Sequence, residues 1–159
     1  MTEMTKSFNG EARKKSHWPS AQSLAVLYTR IALSAAFLSG IASRFGLYGK
    51  NVGYGNFANF TRYTAEVNSF MPAATIPVLA WTATGAELLF GVLLLAGIWP
   101  RRVALASAIL LFLFGAAMTA SAGIKSPLDY SVFSASAAAC LLAVQTSLPA
   151  SIEGSVYEP

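Results

Sequence analysis

The chain has 159 residues, of which only 11% are charged and 55% are hydrophobic, and its mean hydropathy is +0.53. A soluble domain of this size has a high surface-to-volume ratio and carries about 25% charged residues, so this composition excludes one. It also excludes a disordered chain, which is charged and poor in bulky apolar groups, and leaves a small integral membrane protein.

Residues 1–23 form a basic tail with Lys6, Arg13, Lys14 and Lys15, expected on the cytoplasmic side against anionic lipid or simply as a topology signal. Residues 25–46 are apolar except for Arg30 and Arg44. This stretch exceeds the apolar core of a signal peptide, about 7–15 residues, and reads as an uncleaved first membrane helix. Arg30 lies near its cytoplasmic start and is expected to snorkel. Ala36, Gly40 and Arg44 recur every four residues, which puts Arg44 on a small-residue packing face near the outer end. The outer loop, residues 47–75, begins rich in glycine. From 56 to 68 its aromatic spacing predicts a short interfacial helix, with Phe60, Tyr63 and Val67 on one face. Such a helix would cap the bundle mouth or anchor at the interface.

Residues 76–98 hold a single charge, Glu87, and follow Pro72 and Pro77, prolines tolerated in a first helical turn. Pro100, Arg101 and Arg102 make a tight turn before 103–124, which is uncharged. Lys125 and Pro127 end that stretch, and Asp129 is expected to N-cap a fourth helix over 130–148. Pro149 ends it, and 149–159 form a C-terminal tail. Each stretch approaches the roughly 20 helical residues that cross a bilayer. Runs such as Leu110–Leu111–Phe112–Leu113 do not alternate, as barrel strands would. The fold class is therefore all-α, a four-helix transmembrane bundle over 24–148. Lys and Arg concentrate in the N-terminal tail and at Arg101 and Arg102, more than at Lys50, Arg62 and Lys125. Both termini are thus expected in the cytoplasm, with Trp99 and Tyr130 in the aromatic belts.

Glu87 is the most informative residue. An ionised carboxylate at mid-membrane must face the interior and be paired or protonated. Thr84 and Gly91 share its face. Its role is either packing and folding or the binding of a proton, a quinone or another polar ligand. Arg30 and Arg44 are its candidate partners: by depth neither is opposite it, but it lies within snorkelling reach of either. Arg44 is preferred, together with Asp129 from the same side. The spacings Gly115, Thr119, Gly123 and Ser134, Ala138 favour close helix contact within the bundle or in a homo-oligomer. Cys140 is expected in packing. One His, in the tail, and one Cys provide no bis-histidine haem, iron–sulfur or metal ligand set. The basic residues sit at membrane boundaries, which leaves no nucleic-acid surface.

This ordered set of features resembles the DoxX family of small four-helix bacterial membrane proteins. The resemblance is carried by Arg30 followed by Phe37 to Gly40, then Glu87, Gly91, Gly97 and Arg101 or Arg102, then Ala104. Met118 and the run from Gly123 to Ser134 match a turn in one subgroup. The resemblance implies a multi-pass protein of the inner membrane and a subunit of a quinone-linked membrane oxidoreductase. With no redox ligands, this chain would be a quinone-adjacent or anchoring subunit beside a redox partner protein, its headgroup contacts drawn from Glu87, Arg44, Asp129 and Arg30. A second class of function, a small transporter or a lipid- or metabolite-binding bundle using a protonatable Glu, fits the same residues.

Overall fold

The structure is a computed structural model that describes residues 20–146. Residues 1–19 of the basic tail, with His17, and Pro149 and the C-terminal tail lie outside the described residues, while the last tail residues, 21–23, belong to the first helix, which starts earlier than expected. Within them the chain is helical, with no strand. Helix α1 (Ala21–Arg44) is followed by α2 (Phe57–Val67), a single 3-10 turn (Ala73–Thr75), α3 (Ile76–Ala96), α4 (Pro100–Ala122), α5 (Lys125–Asp129) and α6 (Val132–Gln145). Three segments are long and apolar enough to cross a membrane: Ala21–Arg44, Ala73–Ala96 and Pro100–Ala122. The chain is a membrane protein on that ground.

Each boundary has a local cause. Ser20 caps α1 by accepting from the Ser23 N–H, and Asn56 caps α2 by accepting from the Asn59 N–H. Gly97, at φ 74°, closes α3 in the left-handed conformation that glycine adopts without strain. Pro100 then begins α4, where its missing N–H leaves no bond unmade. The expected interfacial helix over 56–68 is found as α2.

The last helix differs from expectation. Asp129 does not cap it; Asp129 is the last residue of the short α5, and Ser131, at φ 55°, precedes α6. The chain needs this extra turn because Pro127 is fully buried and draws the 125–129 segment in against the bundle. Helix α6 consequently has 14 residues. At 1.5 Å per residue it is about 21 Å long, shorter than a bilayer core of about 30 Å. Cys140 also departs from expectation: it is exposed on the outward face of α6, because Ala139, Leu142 and Ala143 take the inward positions.

Helix α4 packs most extensively on α6, and α1 on α3. The core joins Leu33 and Phe37 of α1, Leu94 of α3, Ala104 and Ala108 of α4 and Leu142 of α6. Small side chains let these backbones approach, as membrane bundles require when lipid supplies no hydrophobic drive. Gly91 lies under Phe37 and Leu38, and Gly115 lies under the Phe133 ring. Outside the core, Val78, Leu89, Leu95, Ile109, Phe112 and Leu113 are exposed, the surface expected of helices solvated by lipid.

A Cβ built on Gly115 comes within 2.6 Å of Phe133, whereas one on Gly85 meets nothing within 4 Å. Gly115→Ala therefore lowers stability by about 1–3 kcal/mol through overpacking. Gly85→Ala leaves it unchanged or raises it by up to about 1 kcal/mol through helix propensity. Thermal unfolding of the two variants in one detergent checks the opposite signs.

Candidate functional site

Arg44 is the last residue of α1, and it is buried there with 5% of its surface exposed. Side chains on a helix lean toward its N-terminus, so the guanidinium folds back by about one turn, toward Gly40. Gly40 has no side chain to obstruct it: an added Cβ would already stand 3.4 Å from the Glu87 carboxylate and 3.9 Å from Arg44 Nη2. This backward reach lets a residue at a helix end meet the mid-helix carboxylate of α3, which depth alone placed out of line with it.

Arg44 Nη2 donates to both carboxylate oxygens of Glu87, at 2.7 and 2.8 Å. Because one nitrogen serves both oxygens, Nη1 is free to donate to Thr84 Oγ1 at 3.0 Å, and Thr84 in turn donates to the Ala80 carbonyl at 2.8 Å. Glu87 is also 5% exposed. The carboxylate is thereby neutralised and hydrogen-bonded, the condition under which a buried charge is tolerated. The guanidinium carbon lies 3.8 Å from the centroid of the Phe60 ring, a cation–π contact. One nitrogen is left without a partner: Arg44 Nε is buried and makes no hydrogen bond.

Helix α2 supplies the roof. Phe60 and Thr64 are its buried residues, and Phe57 stacks on Trp81 of α3 with ring centroids 4.2 Å apart. The preceding loop is held by the α1 side chain Ser43, whose hydroxyl accepts from the Tyr54 N–H at 2.9 Å. Asn59 donates back to the Tyr54 carbonyl. Gly53, at φ 62°, passes so close to Ser43 that any Cβ there would collide with its hydroxyl. Tyr54 is thus fixed with its ring 5.1 Å from Phe60 and 5.5 Å from Tyr63. Burial, then the neighbouring Tyr63, pushes the Tyr54 phenol up to about 12, and burial also raises Tyr63.

Of the residues singled out from sequence, Glu87 and Arg44 come together with Thr84. Arg30 does not join them. It sits toward the opposite end of α1 and donates from Nε to the Leu94 carbonyl at 3.0 Å and from Nη2 to that of Leu95 at 3.3 Å. There it satisfies carbonyls in the last turn of α3, with Gly97 pressed beneath the guanidinium. Asp129 is not a partner of Arg44 either. It is exposed and pairs with Lys125 at 2.6 Å, one helical turn away. Phe60 is legible from sequence on the face of the interfacial helix, whereas Tyr54 is legible only as a member of the aromatic, glycine-rich loop. The sequence signal for Tyr54 is its position between Gly53 and Gly55, which marks a backbone forced into a tight path.

Compared with protein-family models, curated proteins and solved structures, the chain matches none.

Removing either partner of a buried pair leaves the other charge uncompensated. Arg44→Met and Glu87→Leu should each destabilise by about 3–5 kcal/mol. The double variant should be closer to wild type than either single one, and a double-mutant cycle on unfolding in detergent measures the coupling. The Tyr54 phenol gives a pH signature of known sign. Its pKa rises from 10.0 in the ordinary phenol to about 12 in the folded chain, so its contribution is complete below about pH 10 and is lost as pH climbs toward about 12. The melting temperature of the wild type should fall across that window more steeply than that of Tyr54→Phe.

Proposed function

We propose that the chain is a multi-pass protein of a bacterial inner membrane, related to the DoxX family, that serves a membrane oxidoreductase as a subunit without a redox centre of its own. Its buried Arg44–Glu87 site meets the headgroup of a quinone. In this reading four helices cross the bilayer, α6 making the fourth crossing. Both termini lie in the cytoplasm, and α2 lies at the outer face.

The observation that carries the proposal is the free Nε–H of Arg44. A buried donor without an acceptor costs about 1–3 kcal/mol, and a carbonyl oxygen brought to it removes that penalty. A quinone provides such an oxygen on a neutral, membrane-soluble ring, and the Phe60 ring against Arg44, with Tyr54 packed on Phe60, suits a flat apolar partner. Glu87 keeps the guanidinium in place and neutralises it, so the donor faces a neutral acceptor with no net charge to disperse. Electrons then belong to a partner protein: the chain has one Cys and one His, and among the described residues no group of His, Cys, Asp or Glu is arranged to hold a metal. The transporter reading has less support, since α1, α3 and α4 run unbroken, whereas transport sites favour interrupted helices.

Arg44→Lys tests the reading, because lysine keeps the charge opposite Glu87 and lacks the Nε–H. Solvent extraction of wild-type protein purified in mild detergent should recover bound quinone along with a cofactor-bearing partner. Arg44→Lys should retain the partner and lose about tenfold in quinone affinity, the effect of one hydrogen bond. A folded wild-type protein that carries neither quinone nor partner contradicts the proposal.

A further inference from the structure

Helix α2 covers one face of the Arg44–Glu87 site, with Phe60 3.8 Å over the guanidinium and Phe60 and Thr64 as its two buried residues. It is nearly self-sufficient in hydrogen bonding. Asn56 caps its first turn, Thr61 and Thr64 donate to the Phe57 and Phe60 carbonyls, and Asn68 donates to the Thr64 carbonyl. Among the described residues, two serines make the hydrogen bonds that join residues 54–69 to the long helices. Ser43 of α1 accepts from the Tyr54 N–H at 2.9 Å. Ser121 of α4 donates to the Val67 carbonyl at 2.9 Å and accepts from the Ser69 N–H at 3.3 Å.

The two ends of α2 are held differently. The first end is built onto α1 and α3: Gly53 presses on Ser43, Asn59 holds the Tyr54 carbonyl, and Phe57 stacks on Phe45 and Trp81. The second end has no such seat. Ser69, Phe70 and Met71 are exposed. The Val67 carbonyl is one of the acceptors that a helix leaves open at its last turn, and a residue of another helix, Ser121, satisfies it.

We propose that α2 is a lid over the Arg44–Glu87 site, hinged at Gly53–Gly55 and latched at its far end by Ser121 of α4. Gly53 and Gly55 have φ 62° and 69°, and small loop residues of this kind absorb the backbone change of a moving segment. Releasing the latch exchanges two hydrogen bonds for bonds to water, at small net cost, because Ser69 is already exposed. Phe60 and Thr64 share the inward face and lift together. The ring then enters the membrane interface, where aromatic side chains are favourable. Thr64 carries its own acceptor, the Phe60 carbonyl, along with it. Arg44 and Glu87 stay paired throughout, since their bonds run between α1 and α3. The lid controls access to Arg44 whatever ligand comes there, and does not rest on the quinone reading.

Arg44 Nε makes no hydrogen bond, so its protection from water reports burial alone. Exchange of its N–H, followed by nitrogen-15 NMR in quinone-free lipid, therefore reads lid opening. Ser121→Ala should speed that exchange about tenfold, the worth of one or two hydrogen bonds. Ser136→Ala, which removes a bond to the Ala108 carbonyl between α4 and α6, should leave it unchanged and so separates the latch from general loosening. Ser69→Cys with Ser121→Cys, in a Cys140→Ser background and joined by a short reducible linker, should slow it about tenfold below wild type, and reduction should reverse this. Exchange in Ser121→Ala no faster than in wild type overturns the proposal. So does an equal acceleration by Ser136→Ala, or a linked protein that exchanges as fast as the unlinked one.

Discussion

A charged pair held inside an apolar bundle constrains everything around it. Arg44 and Glu87 are each 5% exposed, in a protein that otherwise keeps charge at its ends. Either group alone would be intolerable there. Together they require α1 and α3 to hold one register, in which the end of α1 reaches the middle of α3. Gly40 leaves the space for that reach, and Thr84 takes the second guanidinium nitrogen. The roof follows as well: Phe60 of α2 covers the cation, and the loop before α2 is tied to α1 through Ser43. An interaction that contributes little net stability, because desolvation offsets the attraction, thereby specifies how three helices meet.

The two arginines of α1 show how position decides role. Both are flanked by small or apolar residues in the sequence, and both point at α3. Arg30 meets the end of α3, where free carbonyls carry the negative pole of the helix, and it finds its acceptors in the Leu94 and Leu95 carbonyls. Arg44 meets the helix body, where the carbonyls are already bonded, and there a carboxylate is the available partner. Antiparallel packing of α1 on α3 puts these two contacts at opposite ends of the same interface. The interface is pinned by polar contacts at both ends and closed by Phe37, Leu38 and Gly91 between them.

Much of this was legible because the bilayer imposes a simple code. Charge-free runs mark α1, α3 and α4, prolines and glycines mark their ends, and a lone Glu87 marks the interior. Helix α2 was visible from aromatic spacing between Asn56 and Asn68. The α5–α6 region was not, because Pro127 read as a breaker is in fact a buried packing residue, and Ser131 takes a backbone conformation that its side chain does not announce. The Arg44–Glu87 pair is legible as a mid-span carboxylate within snorkelling reach of Arg44, and what Cα positions leave out is the path of a side chain that folds back along its own helix. Asp129 was joined to it by sharing a side of the membrane, yet Lys125 one turn away offers a nearer partner. Tyr54 was beyond reach, because its place is set by Ser43 and Asn59, contacts between segments that composition does not connect.

The central claim is that Arg44 is locked by Glu87 with its Nε–H held ready in a dry interior. Nitrogen-15 NMR of arginine-labelled protein in lipid addresses it directly. A locked and buried Arg44 gives an Nε–H signal that exchanges with water far more slowly than those of the exposed Arg101 and Arg102, and that shifts when a short-chain quinone is added. An Arg44 signal that exchanges as fast as theirs and ignores the quinone contradicts it.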